Sequence, residues 1–536
     1  MKVYQALAAA LLDHGADVVF GLMGDANMLA LCDYEDRGGR FVPTVHEGGA
    51  VSMADSWSRM TGRVGIASVT HGPAVSNTVT ALIEAVRSRS RVLLLTGDTP
   101  PEPTHFQRLD LAATAAMAQA GYEKVHGPAS LRRDLDRALR RIVAENRPVL
   151  LDVPIGLLRE DIGAQPPVVR PTARTVAVPA PEQLDGALGL IAASRRPVLL
   201  AGRGAVTSGA RAELEALADR LAAPVAVTGL AKDFFRGHPA DLGLFGNLSH
   251  SLASSVIAEA DCVIAFGASL NSVTTVRGDL VRDKKVVQVD DDPGAFGWYT
   301  RVDEAVHGDV RAVAAALDAA LVDAGHAPGR GRLERVRRSL RAHRLAEEFQ
   351  DRTGNGTVDV RTAMLRLDEL LPDRRVLVSD VGRFVVGVWP YLRVADARHF
   401  TSMGGFGSIG LGLAGAIGAA VAHPGELTVA VVGDGGFMMN LAEFTTAVRE
   451  KLPLLVVVLN DGAYGAEHYK LAHFGVDPAR SLTAWPEFVP LAEAMGAHGA
   501  TVRDLRDLDA VADVARRMDG PFVLDVKLDP DVNVMA

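Results

Sequence analysis

Short apolar runs rich in valine, isoleucine and leucine recur along the chain, separated by alanine-rich stretches of helical spacing. The first group is DVVFG (17–21), FVPTV (41–45), VGIASVT (64–70), RVLLLTG (91–97) and PVLLDVP (148–154). A second group is RPVLLAGRGA (196–205), APVAVTG (223–229), DCVIAFGAS (261–269) and KVVQVDDDP (285–293). A third is RVLVSDVG (375–382), LTVAVVGDGG (427–436), LPLLVVVLND (452–461) and GPFVLDVKLD (520–529). Strands that are apolar throughout, rather than alternating, are buried on both faces, and alternation with helices predicts parallel sheets. The fold expected is α/β, with three doubly wound parallel-sheet domains in series.

Two segments break the pattern. AQPPVVRPTARTVAVPAPE (164–182) is proline-rich, and residues 325–356 are charged and helical between glycine-rich ends. Both read as linkers. They divide the chain into units at 1–163, 183–325 and 356–536, in keeping with roughly 150 residues per domain. The N-terminal run MKVYQALAAALLDHG meets Asp13 and His14 too soon for a signal peptide and reads as an amphipathic helix. No apolar run approaches the ~18 residues of a membrane span.

Composition adds exclusions. The net charge of −9 is spread over 536 residues, with no basic stripe for nucleic acid. Two cysteines, Cys32 and Cys262, build no disulfide framework and point to a reducing compartment, here the cytoplasm.

In open parallel sheets, ligands bind beyond the carboxyl ends of the strands. Two such loops carry acids: Gly433-Asp434-Gly435-Gly436, and Asn460-Asp461-Gly462. Residues 440–452 fit a crossover helix between them, which would bring the two carboxylates to one sheet edge. A hard cation such as Mg²⁺ with a diphosphate would relieve their repulsion, and the glycines would let backbone N–H groups approach phosphate. Both acids also fit a simpler role as helix caps or turn residues.

These loops resemble the diphosphate–metal motif of the thiamine-diphosphate-dependent enzymes. FTSMGGFGSIGLGLAGAIGAA (400–420) is similar to the segment that precedes this motif in acetolactate synthases and pyruvate decarboxylases. VPTVHEGGAVSMADSWSRMTGR (42–63) is similar to their N-terminal glutamate motif, and VTHGPAVSNTVTALIEA (69–85) to the segment after it. The matches span both outer units, in order.

The resemblance implies thiamine diphosphate and Mg²⁺ as cofactors. Glu47 would hydrogen-bond the aminopyrimidine and promote loss of the thiazolium C2 proton. Taken alone, Glu47 also fits a first-turn helix acid. The Gly407 carbonyl would accept from the 4′-amino group, Ser408 would lie beside it, and Ile409 would wedge the cofactor into its bent shape. Gly433, Gly435, Gly436, Tyr464 and Gly465 would surround the diphosphate. Asp434 and Asp461, with the main-chain oxygen of Ala463, would bind the metal. His71, Gln107, Glu467 and His468 would touch substrate, with His105 close by. Glu47 and the diphosphate site would come from different subunits, making a homodimer or a dimer of dimers.

The chain departs from that pattern at Asp461, where the family has asparagine, and at HEGGA, His71 and Glu467. The resemblance favours a carboligase that decarboxylates a 2-keto acid, pyruvate expected, and joins the acyl unit to a second carbonyl. His71 and Glu467 keep open a decarboxylase releasing an aldehyde. AGRGA (201–205) leaves a flavin or nicotinamide oxidoreductase as the reading from another class, although it lacks the full G-x-G-x-x-G pattern. FAD in the middle unit is not favoured. A catalytically silent scaffold is the third possibility, and retention of Glu47, Asp434 and Asp461 together argues against it.

Overall fold

A computed structural model describes residues 1–163, 176–512 and 519–534; most of the proline-rich segment, 164–175, lies outside the described residues. Three six-stranded sheets follow one another. The first holds β1 (Val18–Gly21), β2 (Arg40–Pro43), β3 (Gly65–Ser68), β4 (Val92–Thr96), β5 (Gly121–Lys124) and β6 (Val149–Asp152), in the order β2-β1-β3-β4-β6-β5. The second holds β7 (Pro197–Ala201), β8 (Val225–Val227), β9 (Asp241–Leu244), β10 (Cys262–Phe266), β11 (Lys285–Asp290) and β12 (Glu304–His307), ordered β12-β11-β10-β7-β8-β9. The third holds β13 (Val376–Ser379), β14 (Phe400–Ser402), β15 (Thr428–Gly433), β16 (Leu454–Asn460), β17 (His498–Val502) and β18 (Phe522–Lys527), ordered β14-β13-β15-β16-β18-β17. Strand pairing within the sheets is parallel throughout. The expected α/β architecture of three parallel sheets in series is the one observed.

The interior strands are the runs that the apolar pattern marks, and β4, β6, β7, β10 and β16 are buried along their whole length. Helices cover both faces of each sheet, so these strands meet side chains above and below. The N-terminal run forms the helix Val3–Asp13, whose Val3, Leu7 and Leu11 are buried.

The two outer units share a core. The helix Glu47–Thr61 packs along the helix Gly412–Ala422, and Met53, Ala54 and Trp57 join Met403, Ile417 and Ala420 in one apolar cluster. The approach is close: a Cβ on Gly418 would stand 2.1 Å from the Met53 carbonyl oxygen. A buried ionic group reinforces this junction. Arg59 binds Asp55, Glu84 (3.0 Å) and the Ser402 carbonyl (2.7 Å). The middle unit keeps its own core around β7, β8 and β10.

Two expectations need correction. Residues 325–356 contain the expected helical stretch, Gly331–Ala342, but it is not a free linker, because its Leu333 and Val336 are buried against the middle unit. The crossover helix expected over 440–452 is broken. A helix already starts at Asp434 and ends at Met439, a 3₁₀ turn spans Leu441–Glu443, and a second helix runs Phe444–Arg449. The break falls at Asn440, whose side-chain amide donates to the Gly410 carbonyl (2.9 Å). Among the described residues, no helix is long and apolar enough to cross a membrane.

Candidate active site

β15 and β16 are neighbours, and the loops at their carboxyl ends place Asp434 and Asp461 on the wall of one cavity. Asp434 is 3% exposed. Its Oδ1 accepts from Gly435 N (2.6 Å) and its Oδ2 from Gly462 N (2.8 Å). Burial, and then the charge of Asp461, push its carboxyl up to about 7. Burial likewise raises Asp461, whose Oδ1 accepts from Ala463 N (3.1 Å). Two acids held together with their charges resisted are a site for a cation of oxygen preference.

Gly433, Gly435, Gly436, Ala463, Tyr464, Gly465, Ile409 and Glu467 line the same cavity. A Cβ on Gly465 would stand 2.6 Å from Asp461 Oδ2, and one on Gly436 equally close to Asp380 Oδ2, so these positions admit only glycine without rearrangement. Gly407 sits at φ +83°, in the left-handed region, and starts the turn that delivers Ser408 and Ile409. The Ser408 hydroxyl donates to the Ile409 carbonyl (3.3 Å).

Glu47, His71 and Gln107 lie elsewhere: among the described residues the lining of this cavity comes wholly from the third unit. Glu47 opens the helix Glu47–Thr61 and is half-buried, with its Oε2 accepting from the Asn77 amide (3.0 Å). His71 is 3% exposed, and burial holds its imidazole below the ordinary value. The His105 ring lies 6.0 Å from that of His71. The Gln107 backbone packs on Gly72, so His71, His105 and Gln107 gather at one place.

His468 is not among the described residues that line the cavity. It is buried, with Nδ1 2.9 Å from Ser481 Oγ and Nε2 3.0 Å from Asp531 Oδ1. Both ring nitrogens are engaged, which suits a clamp on the C-terminal segment better than contact with substrate. Glu467, one residue earlier, does face the cavity.

Family models described as "Thiamine pyrophosphate enzyme" match the chain in three parts. The N-terminal TPP binding domain matches residues 1–119, the central domain 184–317 and the C-terminal TPP binding domain 380–526. Relatives match almost end to end. An acetolactate synthase of Arthrospira platensis is 30% identical over 98% of this chain and 94% of its own length. A probable acetolactate synthase large subunit of Methanocaldococcus jannaschii is 28% identical over 99% and 92%. A sulfoacetaldehyde acetyltransferase of Alcaligenes xylosoxydans xylosoxydans is 29% identical over 92% and 87%. The chain belongs to the thiamine pyrophosphate enzyme family.

Within this thiamine pyrophosphate enzyme, several residues that the motifs did not reveal shape the site. Asp380, at the end of β13, accepts from Gly410 N (2.8 Å) and Val381 N (2.8 Å) and is pushed up to about 7 by burial. Glu443 accepts from Val45 N (3.1 Å) and His46 N (2.8 Å), which fixes the entry to Glu47 on the third unit. Glu84 Oε2 accepts from Phe406 N (2.6 Å) and so holds the turn before Gly407. Arg383 and Phe384 line the cavity beside Gly433, and Leu528, Asp529, Val532 and Val534 cover it. Arg383 donates to the Gly465 carbonyl (3.4 Å) and the Val532 carbonyl (2.5 Å), joining cavity wall to cover. Asp380 could have been noticed, since it follows a called strand. Glu84 and Glu443 could not, because each acts on a segment more than 300 residues away in sequence.

The glycine loop of the middle unit is packed closely against neighbouring backbone. A Cβ on Gly202 would lie 2.2 Å from the Gly267 carbonyl oxygen, and one on Gly204 2.7 Å from Gly267 Cα. The room these glycines provide is filled by the neighbouring backbone. Arg203, between them, donates to the Ser88 carbonyl of the first unit.

Proposed function

We propose that this thiamine pyrophosphate enzyme is a carboligase: it takes a 2-keto acid, with pyruvate the expected donor, releases CO₂ and transfers the remaining acyl unit to a second carbonyl. The observation that carries the reading is the buried pair Asp434–Asp461 on one cavity wall, both carboxyls raised. Mg²⁺ suits these two carboxylates and the Ala463 carbonyl, with diphosphate oxygens completing its shell. Gly433, Gly435, Gly436, Tyr464 and Gly465 bound the diphosphate, and Gly407, Ser408 and Ile409 face the rings. When bound, thiamine diphosphate supplies a carbanion that adds to the donor carbonyl and takes up the electron pair left by CO₂.

The chain's own part is to hold that group and to move protons. Asn77 fixes one oxygen of Glu47, and Glu443 fixes the backbone leading to it. With the cofactor bound, that carboxyl would hydrogen-bond the aminopyrimidine and serve as its proton partner. Glu47 lies outside the Asp434 cavity of its own chain, which supports a homodimer, or a dimer of dimers, in which one copy supplies Glu47, His71 and Gln107 to the other's diphosphate site. The division at 1–163, 183–325 and 356–536, a cytoplasmic location and the absence of flavin belong to the same reading.

Relatives named acetolactate synthase support ligation. A second reading, release of an aldehyde, is favoured by Glu467 on the cavity wall and by the buried His71, two groups suited to passing protons. Proton NMR of the chain with pyruvate, thiamine diphosphate and Mg²⁺ separates the two. Cofactor-dependent acetolactate is the expected result, and acetaldehyde would move the assignment to decarboxylase. Glu47→Gln should keep cofactor binding and lose turnover; unchanged turnover would overturn the role given to Glu47.

A further inference from the structure

Two histidine–carboxylate groups lie outside the proposed active site, and they are wired differently. In the first, His250, His343 and Glu348 meet beside the middle unit. Its carboxylate is already committed: Glu348 accepts from Ser251 N (3.0 Å) and Ser251 Oγ (2.6 Å) and stands 2.6 Å from His343 Nε2. His250 Nδ1 accepts from Ala253 N (3.1 Å).

The second group is His399, His423 and Glu426. A ring nitrogen of each histidine and a carboxylate oxygen lie within 4.8 Å of one another. The rings stand edge to face, 4.7 Å apart at 89°. His399 Nδ1, His423 Nε2 and Glu426 Oε2 are all shielded from solvent, and none has a hydrogen-bond partner among the described residues. Three such atoms in one place are unusual, because buried polar groups are nearly always paired. The other oxygen of Glu426 accepts from the exposed Arg374 (2.7 Å), which orients the carboxylate and leaves Oε2 turned to the two rings.

We propose that His399, His423 and Glu426 bind a borderline divalent cation, with Zn²⁺ the best match. Two imidazoles and one carboxylate are a recurrent zinc ligand set that leaves a fourth position for water. Bonds of about 2.0–2.1 Å in a tetrahedral shell put ligand atoms about 3.3 Å apart, so small side-chain rotations close the group on the ion. The place in the chain suggests its use. His399 directly precedes β14, His423 caps the helix Gly412–Ala422, and Glu426 lies just before β15. The two histidines therefore bracket residues 400–422, the excursion that carries Gly407, Ser408 and Ile409. A cation here clasps the base of that excursion. It sits at the amino ends of the strands, opposite Asp434 and Asp461, and is independent of the function proposed above.

The test is equilibrium dialysis of the chelator-stripped full chain against Zn²⁺, with excess Mg²⁺ to occupy oxygen-rich sites, and metal content read by mass spectrometry. The parent should retain about one Zn²⁺ per chain, with affinity at least ~10-fold weaker in His423→Gln and Glu426→Gln and unchanged in His343→Gln. Co²⁺ on the parent chain gives a second reading that needs no variant: four-coordinate binding shows as intense visible absorption. No retained Zn²⁺, retention undiminished in His423→Gln and Glu426→Gln, loss in His343→Gln, or a Co²⁺ spectrum without those bands would each overturn the proposal and leave the three atoms to water.

Discussion

Two glycine-rich loops follow buried strands in this molecule, and they have opposite fates. After β15, Gly433-Asp434-Gly435-Gly436 opens onto a cavity. After β7, Gly202-Arg203-Gly204 is closed by the backbone of Gly267 and Ala268. In sequence both are short glycine-flanked turns after an apolar run. What separates them is the residue between the glycines. Asp434 is a buried acid whose carboxyl is raised and whose neighbour is another acid. Arg203 leaves its loop altogether and anchors the first unit through Ser88. Glycine after a strand permits a close approach; the charge beside it decides whether a ligand or the protein itself makes that approach.

The largest effect expected follows from that difference. Asp434→Ala removes one member of a buried ionic site. Breaking such a site costs about 3–5 kcal/mol, or about 150- to 5,000-fold in affinity. Calorimetric titration with thiamine diphosphate and Mg²⁺ should show that loss, and near-parental affinity would mean that the open loop is no more a cofactor site than the closed one.

A pH effect of similar size comes from Asp380, the buried acid that props the turn at Gly410. Its folded value is about 7 against an ordinary value of 3.8. Between these values the folded chain holds a proton that the unfolded chain has lost. Stability is therefore greatest below the unfolded value and falls as pH rises through the folded one. A shift of about 3 units corresponds to at most about 4 kcal/mol. Urea unfolding of the chelator-treated chain between pH 4 and 8 should show this fall, and Asp380→Asn should flatten it. Equal slopes in parent and variant would show that Asp380 is charged or solvated in the folded chain.

The same contrast explains how much was legible in advance. The strands inside each sheet were visible as continuous apolar runs. Of the edges, only β2 was, and β5, β9, β12, β14 and β17 were not. An edge strand has a neighbour on one side only. β5 and β9 alternate between buried and partly exposed residues, β12 and β17 are mostly exposed or half-buried, and β14 has three residues. At the candidate site, Asp434 and Asp461 could be singled out locally as acids after apolar strands, whereas Glu47 stands out only through the resemblance of its motif. Glu84 and Glu443 could not, since their function is to bind backbone of a distant segment. The neighbours of His468 in sequence line the cavity while its own ring turns to Ser481 and Asp531, a placement that local sequence does not reveal.

Gly202→Ala tests the closed loop. Its Cβ would meet the Gly267 carbonyl oxygen at 2.2 Å, a backbone atom that cannot rotate away. Overpacking of this kind typically costs about 1–3 kcal/mol. Denaturant unfolding should report that loss while thiamine diphosphate affinity stays at the parental level. At Gly435 the nearest obstacle is instead the half-exposed Tyr464 ring, at 2.9 Å, which can swing aside. Gly435→Ala should therefore reverse the pattern, with affinity falling more than stability.

The smallest effect concerns the cover of the open loop. Residues 528–534 reach over the cavity and are held by side chains, chiefly Arg383 to the Val532 carbonyl and His468 to Asp531. Asp531 is largely exposed, with 80% of its side chain accessible, so water competes for that bond. His468→Ala should then cost only about 0.5–1.5 kcal/mol of global stability. Hydrogen exchange of residues 528–534 should accelerate, because a segment held by a few side-chain bonds opens locally before the sheets do. The backbone that closes Gly202 is held mainly within its sheet, with Gly267 N donating to the Val289 carbonyl (2.8 Å), and its exchange should not change in this variant. Acceleration in both places would mean that the cover is part of the global fold, and the distinction between an open, lightly covered loop and a sealed one would fail.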